Sequence, residues 1–335
     1  MANYNPKSLK EKEKIRMKNF NREHIEGYVY QHDLAIKTVA NKESENYGKE
    51  FIAGTLEVAV DEEMLNVIPV HFTYVVELSS KGTKNATFAN LKKIIEENKT
   101  CLEVGKDAAQ KVKIDTALAL NDFYTQDGSL VSVKTNEGGF VTLVTALAPE
   151  VERNTWKADM LITNVKRVEA DPEKNIDKDY LTVRGAIFNF RNALLPMEFT
   201  LKDERGFSYF ENLDASDSNP IFTQVWGLIN CESKVVTWTE ESAFGEPTVR
   251  TTKTKSKEWL ITGTHPESKV YEFGEEGVLT VEELQKAMQD REVLLADIKK
   301  RNEEYKASKA AAPKTTAPAS AGPQPTAAKP GGFVF

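Results

Sequence analysis

Val67–Val76 reads VIPVHFTYVV, and Leu194–Lys202 reads LLPMEFTLK. Both carry one phrase: Ile or Leu, then Pro, then Val or Met, any residue, and Phe-Thr, with Pro69 and Pro196 at its second position. Ile68, Val70, Phe72, Tyr74 and Val76 alternate with other positions, the period of a half-buried strand. A residue without an N–H is best tolerated where a strand opens. The phrase is therefore read as one barrel corner written twice, each proline opening a third strand. Chance convergence of two short apolar strands is the alternative.

Working outward from the first copy, Ile52, Leu56, Val58 and Val60 alternate before it, and the helix ATFANLKKIIEEN follows it, with Phe88, Leu91, Ile94 and Ile95 on one face. Strands are then expected at Lys111–Leu120, Ser129–Thr135 and Phe140–Thr145, separated by turn signals at QDG and NEGG. Three strands, a helix and two or more strands is the order of the five-stranded Greek-key barrel called the OB-fold. The second copy starts at Trp156–Val168. DYLTVRGAIFNF then matches KEFIAGTLEVAV around Gly185 and Gly54, each a glycine inside an alternating strand. After the second phrase comes only a short SYFENLD, then PIFTQVWGLI and the hairpin VVTWTEESAFGEPTVRTTKTKSKEWLITG.

The fold class expected is mainly β: two tandem OB-fold-like Greek-key barrels over 23–150 and 151–278, preceded by a basic N-terminal arm, 1–22. An amphipathic helix is expected at 279–306. Thr280 and Glu283 form a capping box, and Val281, Leu284, Met288, Leu295 and Ile298 recur at helical spacing. Such a helix either packs on its own domain or docks a partner. From 307 to 335 large apolar residues give way to Ala, Pro, Thr and Ser, the composition of a disordered tail, closed by the hydrophobic tip GGFVF.

The formal net charge is -7 over 335 residues, which excludes a protein coated in basic residues but leaves room for a local basic groove. The arm carries seven Lys or Arg against Glu11 and Glu13 and has no apolar core of the signal-peptide kind. Two cysteines, Cys101 and Cys231, suggest neither a disulfide framework nor a zinc site. No run approaches the ~20 apolar residues of a membrane span. A soluble, cytoplasmic protein is expected, without metal or cofactor. No phosphate loop, dinucleotide fingerprint or hydrolase motif is present, so no enzyme is expected. His71 falls on the outward side of its strand, and Glu62 with Glu63 reads as solvated turn charge.

The binding candidates are aromatic and basic. On the strand from Tyr180 to Arg191, Leu181, Val183 and Ile187 form one face, and Tyr180, Arg184, Phe188 and Phe190 the other. Phe188 and Phe190 either meet solvent as stacking rings or pack beneath the C-terminal helix or the other barrel. In the hairpin, Lys253, Lys255, Lys257 and Trp259 alternate, with Trp238 and Arg250 nearby: a cationic row ending in an indole, or a solvated edge that discourages aggregation. The first barrel offers Tyr28, Tyr30 and His32 on one side of its opening strand, where core packing and stacking are both open. Phe123 and Tyr124 lie in the hairpin NDFYTQDG, on the rim of the expected groove. Rings on which bases stack and cations along a backbone path are what a single strand needs. The basic arm would add phosphate contacts that weaken with salt.

With GTLEVAV, VIPVHFT, NDFYTQDG and the tip GGFVF in view, the chain resembles the single-stranded DNA-binding proteins of replication, especially the diverged phage or mobile-element kind with tandem OB domains. The resemblance implies non-enzymatic binding of single-stranded DNA in replication, recombination or repair. It also implies a tail tip, Phe333, Val334 and Phe335, that recruits replication or repair proteins. The family's tip is acidic, whereas from Ala312 on this tail has only Lys314 and Lys329 as charged side chains. A virion or scaffold protein of two β domains, with its aromatics at subunit interfaces, and a strand-annealing recombination factor are the other readings.

Overall fold

The computed structural model describes residues 19–44, 46–79, 82–172, 176–240 and 248–311, with side chains described outside 233–255 and 309–311. The arm before residue 19 and the tip residues Phe333, Val334 and Phe335 lie outside the described residues.

Barrel one is built from β1 (Asn21–His32), β2 (Ala35–Thr38), β3 (Glu50–Ala59), β4 (Val67–Val76), β5 (Lys111–Tyr124) and β6 (Leu130–Val144). β1 pairs antiparallel with β3, β3 with β4, β6 with β5 and β5 with β1, while β4 and β6 run parallel and close the circuit. β2 extends the wall beside β3. Barrel two repeats the circuit with β7 (Asn154–Val168), β8 (Tyr180–Phe188), β9 (Leu194–Leu201), β10 (Ile221–Glu240) and β11 (Thr248–Thr264). Here β9 and β11 form the parallel pair, and β10 returns to β7. Both circuits have the OB-fold order.

The repeated phrase occupies the same place in each barrel. Pro69 pairs with Glu57 on β3 and Pro196 with Ala186 on β8, each proline at the third residue of its own strand, β4 or β9. Alternation drives Ile68, Val70 and Phe72 inward in one copy and Leu195, Met197 and Phe199 in the other. NEGG differs from its reading as a turn, because β6 runs unbroken through it. The pairing with β5 slips between Asp115 and Ala117, so the glycines form a bulge in one long strand. Glu62 is exposed, as expected of a turn charge, and is also paired. Its carboxylate accepts from Arg153 at 2.8 Å, Lys106 at 3.1 Å and the Tyr28 hydroxyl at 3.1 Å, and these donors, Arg153 foremost, hold its pKa down at about 2.

Helices fill the barrels as the order requires. In α1 (Ala86–Glu97), capped by the Asn85 side chain accepting from Thr87 N, Phe88, Leu91 and Ile94 plug barrel one. A four-residue turn, α2 (Cys101–Val104), follows. Barrel two has only α3 (Phe207–Glu211), whose Phe207 and Phe210 are buried in the same role.

The last helix, α4 (Val281–Ala311), opens on the capping box: Glu283 N donates to Thr280 Oγ1 at 3.1 Å, and Thr280 N to Glu283 Oε2 at 3.0 Å. It runs past the expected end because Lys and Ala, good helix formers, continue the turn. Leu284, Ala287 and Arg291 face the protein, whereas Met288 of the expected stripe is exposed. The helix thus packs on its own molecule, and on both barrels. Its first turns cover Phe188, Phe222, Tyr271 and Leu279 on barrel two. Arg291 then grips Asp122 of barrel one at 2.6 and 2.8 Å, and Asn302 Nδ2 donates to Tyr124 O at 2.9 Å.

The barrels are joined through β1, which also pairs with β7 from Asn21↔Ala158 to Ile25↔Asn154. Asn21 Nδ2 donates to Leu118 O in barrel one at 2.9 Å and to Phe188 O in barrel two at 3.1 Å. Asn66 reaches β10, donating to Ile229 O and accepting from Cys231 N. Lys134 of β6 places its ammonium 4.8 Å from the Trp259 ring centre in barrel two, where burial pushes its pKa down to about 8. One continuous apolar core runs through both barrels.

Candidate nucleic-acid interface

Because β1 serves both barrels, five strands form one floor across the junction. A row of Cα partners crosses it: Leu228 on β10, Thr155 on β7, His24 on β1, Asp115 on β5 and Phe140 on β6. Beside it runs a second row, Trp226, Lys157 and Arg22. Above these rows lies an open groove of about 1500 Å³.

Exposed rings stand along it. Phe190 is 84% exposed and Phe140 77%, and Tyr74 also meets solvent. Phe20 and Trp226 are half-buried. Backbone irregularities aim several of them. The β6 bulge puts Gly139 at φ 108°, with Asp115 O where a Cβ would sit, and turns Phe140 outward. A register slip between Trp226 and Gly227 does the same on β10, and the indole of Trp226 lies on Gly263, where a Cβ would come within 2.4 Å of its Nε1. Phe190 projects from the turn between β8 and β9.

Cations lie against the ring faces. Arg22 is 5.4 Å from the Phe20 centre, Lys157 is 6.0 Å from Phe20 and 5.5 Å from Trp226, and Arg191 is 5.1 Å from Phe190. Two acids, Asp115 and Glu137, border the barrel-one side, where His24 Nδ1 is 2.9 Å from Asp115 Oδ1. Beneath the floor, Glu23 accepts from Trp259 Nε1 at 3.0 Å, and burial pushes its pKa up to about 8, which favours the neutral carboxyl near pH 7.

Of the expected residues whose side chains are described, Phe190 lines this groove, and Tyr30, Phe123, Tyr124, Arg184, Phe188, Lys257 and Trp259 do not. Phe188 is a correction: it is fully buried, in a second small core between barrel two and the first turns of α4, because that end of β8 is apolar on both faces. Trp259 is another, at 2% exposure. The alternating row on β11 leaves solvent for the barrel interior, so the face that shows Lys257 at the surface becomes the core face at Trp259 and Ile261. Tyr30 packs against the small cluster of Tyr28, Cys101 and Ala109. Arg184 is exposed, paired with its cross-strand partner Glu198 at 3.0 Å. Phe123 and Tyr124 lie on the hairpin that α4 fastens, Phe123 partly exposed and Tyr124 half-buried. Lys257 borders a separate cavity of about 400 Å³ with His71 and Glu57. For Trp238, Arg250, Lys253 and Lys255 the backbone register is described: Trp238 pairs with Arg250, Lys253 with Val235 and Lys255 with Ser233.

Phe20, Tyr74, Phe140, Lys157, Arg191 and Trp226 escaped the sequence reading as binding residues, and Arg22 entered it only as the last residue of the basic arm. A usable signal was present for two of them, an aromatic residue touching glycine inside a strand, as in Gly139-Phe140 and Trp226-Gly227, which marks a bulge that re-aims a ring. Among the described residues, no group of three or more His, Cys, Asp or Glu could hold a metal ion, and no helix is long and apolar enough to cross a membrane.

No curated protein matches the sequence. Among solved structures, the chain is similar to a deletion mutant of the single-stranded DNA binding protein from Thermus aquaticus, at 10% identity and a TM-score of 0.43 over 77% of this chain and 98% of that one. A match to the YorF family model runs from residue 18 to residue 301, through both barrels and most of α4, and the chain therefore belongs to the YorF family.

Proposed function

We propose that the protein binds single-stranded DNA without sequence preference. Bases would lie against Phe20, Phe140, Phe190 and Trp226, and phosphates against Arg22, Lys157 and Arg191. The carrying observation is the floor itself: rings held open to water and flanked by cations, on one surface shared by two barrels. Rings and cations along an open path are the chemistry of a single strand, and each stacked base contributes ~1–3 kcal/mol. On this reading the protein is a non-enzymatic coat for unpaired DNA in cytoplasmic replication, recombination or repair. The hairpin positions Arg250, Lys253, Lys255 and Lys257 would add phosphate contacts and Trp238 a further ring, and Phe333, Val334 and Phe335 would serve as a partner peptide.

The test is a fluorescence titration with oligothymidylate, with a duplex as competitor. The single strand should quench Trp226 and be released by added salt, and Phe140→Ala and Trp226→Ala should each weaken binding by roughly 5- to 150-fold. Equal affinity for duplex, or wild-type affinity in both variants, would overturn the reading.

A further inference from the structure

The groove sorts its charges. Its Lys and Arg side chains, Arg22, Lys157 and Arg191, come from β1, β7 and the turn between β8 and β9, while Asp115 on β5 and Glu137 on β6 face the same space from barrel one. Among the described residues, no Lys or Arg borders the groove on β4, β5 or β6. Like charges repel, so a strand lying here keeps its phosphates over the cations and sends bases toward the acids. That acidic end also holds a ring. Phe140 is 77% exposed, and its Cα partner on β5 is Asp115. Side chains at such paired positions stand about 4.5–5.5 Å apart at Cβ. Asp115 is steadied by its partner on β1, His24, whose Nδ1 lies 2.9 Å from Asp115 Oδ1. The Asp115 side chain is still 54% exposed, and its Oδ2 has no hydrogen-bond partner among the described residues.

Resting on the single-strand reading, and adding to it one position at which the base matters, we propose that Phe140 and Asp115 form a subsite selective for bases that carry an amino group. The base would lie on the Phe140 ring and donate amino hydrogens to Asp115 Oδ2. Cytosine offers its N4 amino group, adenine its N6 amino group, and guanine N1–H beside its N2 amino group. Thymine offers one N–H between two carbonyl oxygens, and a carboxylate, which only accepts, gains nothing from those. Elsewhere along the floor the contacts are ring faces and cations, which every nucleotide satisfies.

The test measures affinity for oligodeoxycytidylate and oligothymidylate of equal length, roughly 20 nucleotides, at one salt concentration and a mildly alkaline pH that keeps cytosine unprotonated. Homopolymers put the same base on the subsite in every register. The proteins compared are the wild type, Asp115→Ala, Phe140→Ala and Glu137→Ala, and each cytidylate-to-thymidylate ratio is taken within one protein, so a loss of active material cancels. The wild type should prefer cytidylate by about 5-fold or more, the lower end of what a well-placed base contact discriminates. Asp115→Ala and Phe140→Ala should lose most of that preference, and Asp115→Ala should hold thymidylate at least as tightly as the wild type does, because a repelling charge is gone. Glu137→Ala removes an equal charge from the same strand pair, across from Ala117, and should keep the ratio. A ratio that survives Asp115→Ala or Phe140→Ala, or that falls as far in Glu137→Ala, overturns the proposal. If the wild type binds both oligonucleotides equally, the subsite fails and the groove stands. If it binds neither, both fall.

Discussion

Glu23 brings a carboxyl group into a place with no water to solvate its charge. Its Oε1 accepts from Trp259, its Oε2 has no partner among the described residues, and burial lifts its pKa from 4.5 to about 8. In the unfolded chain it ionises near 4.5. Between those two values the folded state holds the extra proton, so stability falls as pH rises and levels off above pH 8. Glu23→Gln keeps an acceptor for the indole and removes the titration. Relative to wild type, the variant should gain about 1.4 kcal/mol for each pH unit between pH 5 and pH 8. Denaturant melts at several pH values check this, and a gap that stays constant with pH would sink it.

At the scale of elements, α4 acts as a strap held at both ends. The Arg291–Asp122 pair is almost completely shielded, with side chains 9% and 4% exposed, and Ser132 Oγ also donates to Asp122 at 2.6 Å. Removing one partner of a buried pair strands the other charge. Arg291→Ala should therefore cost about 3–5 kcal/mol in chemical denaturation, and replacing both residues by apolar ones far less. A loss below about 1 kcal/mol would show that the strap is held by something else. The element order was legible in the sequence because alternation, a capped helix and a repeated phrase are local signals. The strap's landing point was not, since a lone arginine on a helix says nothing about an aspartate on a distant hairpin. Phe188 was ambiguous for a related reason: period 2 separates the faces of a strand without saying that both are covered. The floor of the groove was hidden most deeply, because Arg22 and Lys157 become neighbours only through pairing of strands from different barrels.

On the scale of the whole molecule, the junction makes two repeated folds into one unit. β1 pairs with β3, β5 and β7, a single apolar core runs through both barrels, and Asn21 is bonded to each side. Barrel two cannot lose β7 without exposing β1 of barrel one. Both barrels should melt in a single transition, with calorimetric and van't Hoff enthalpies in agreement. Two resolved transitions would show that the junction is weaker than its bonding implies.

The shared strand β1 also bears on avidity. Two modules on a flexible linker raise each other's local ligand concentration only as far as the linker's wandering allows. Here there is no linker to wander: for a ligand on the floor, the second half would already be in line once the first was occupied, and the orientational entropy would have been spent in folding rather than at capture.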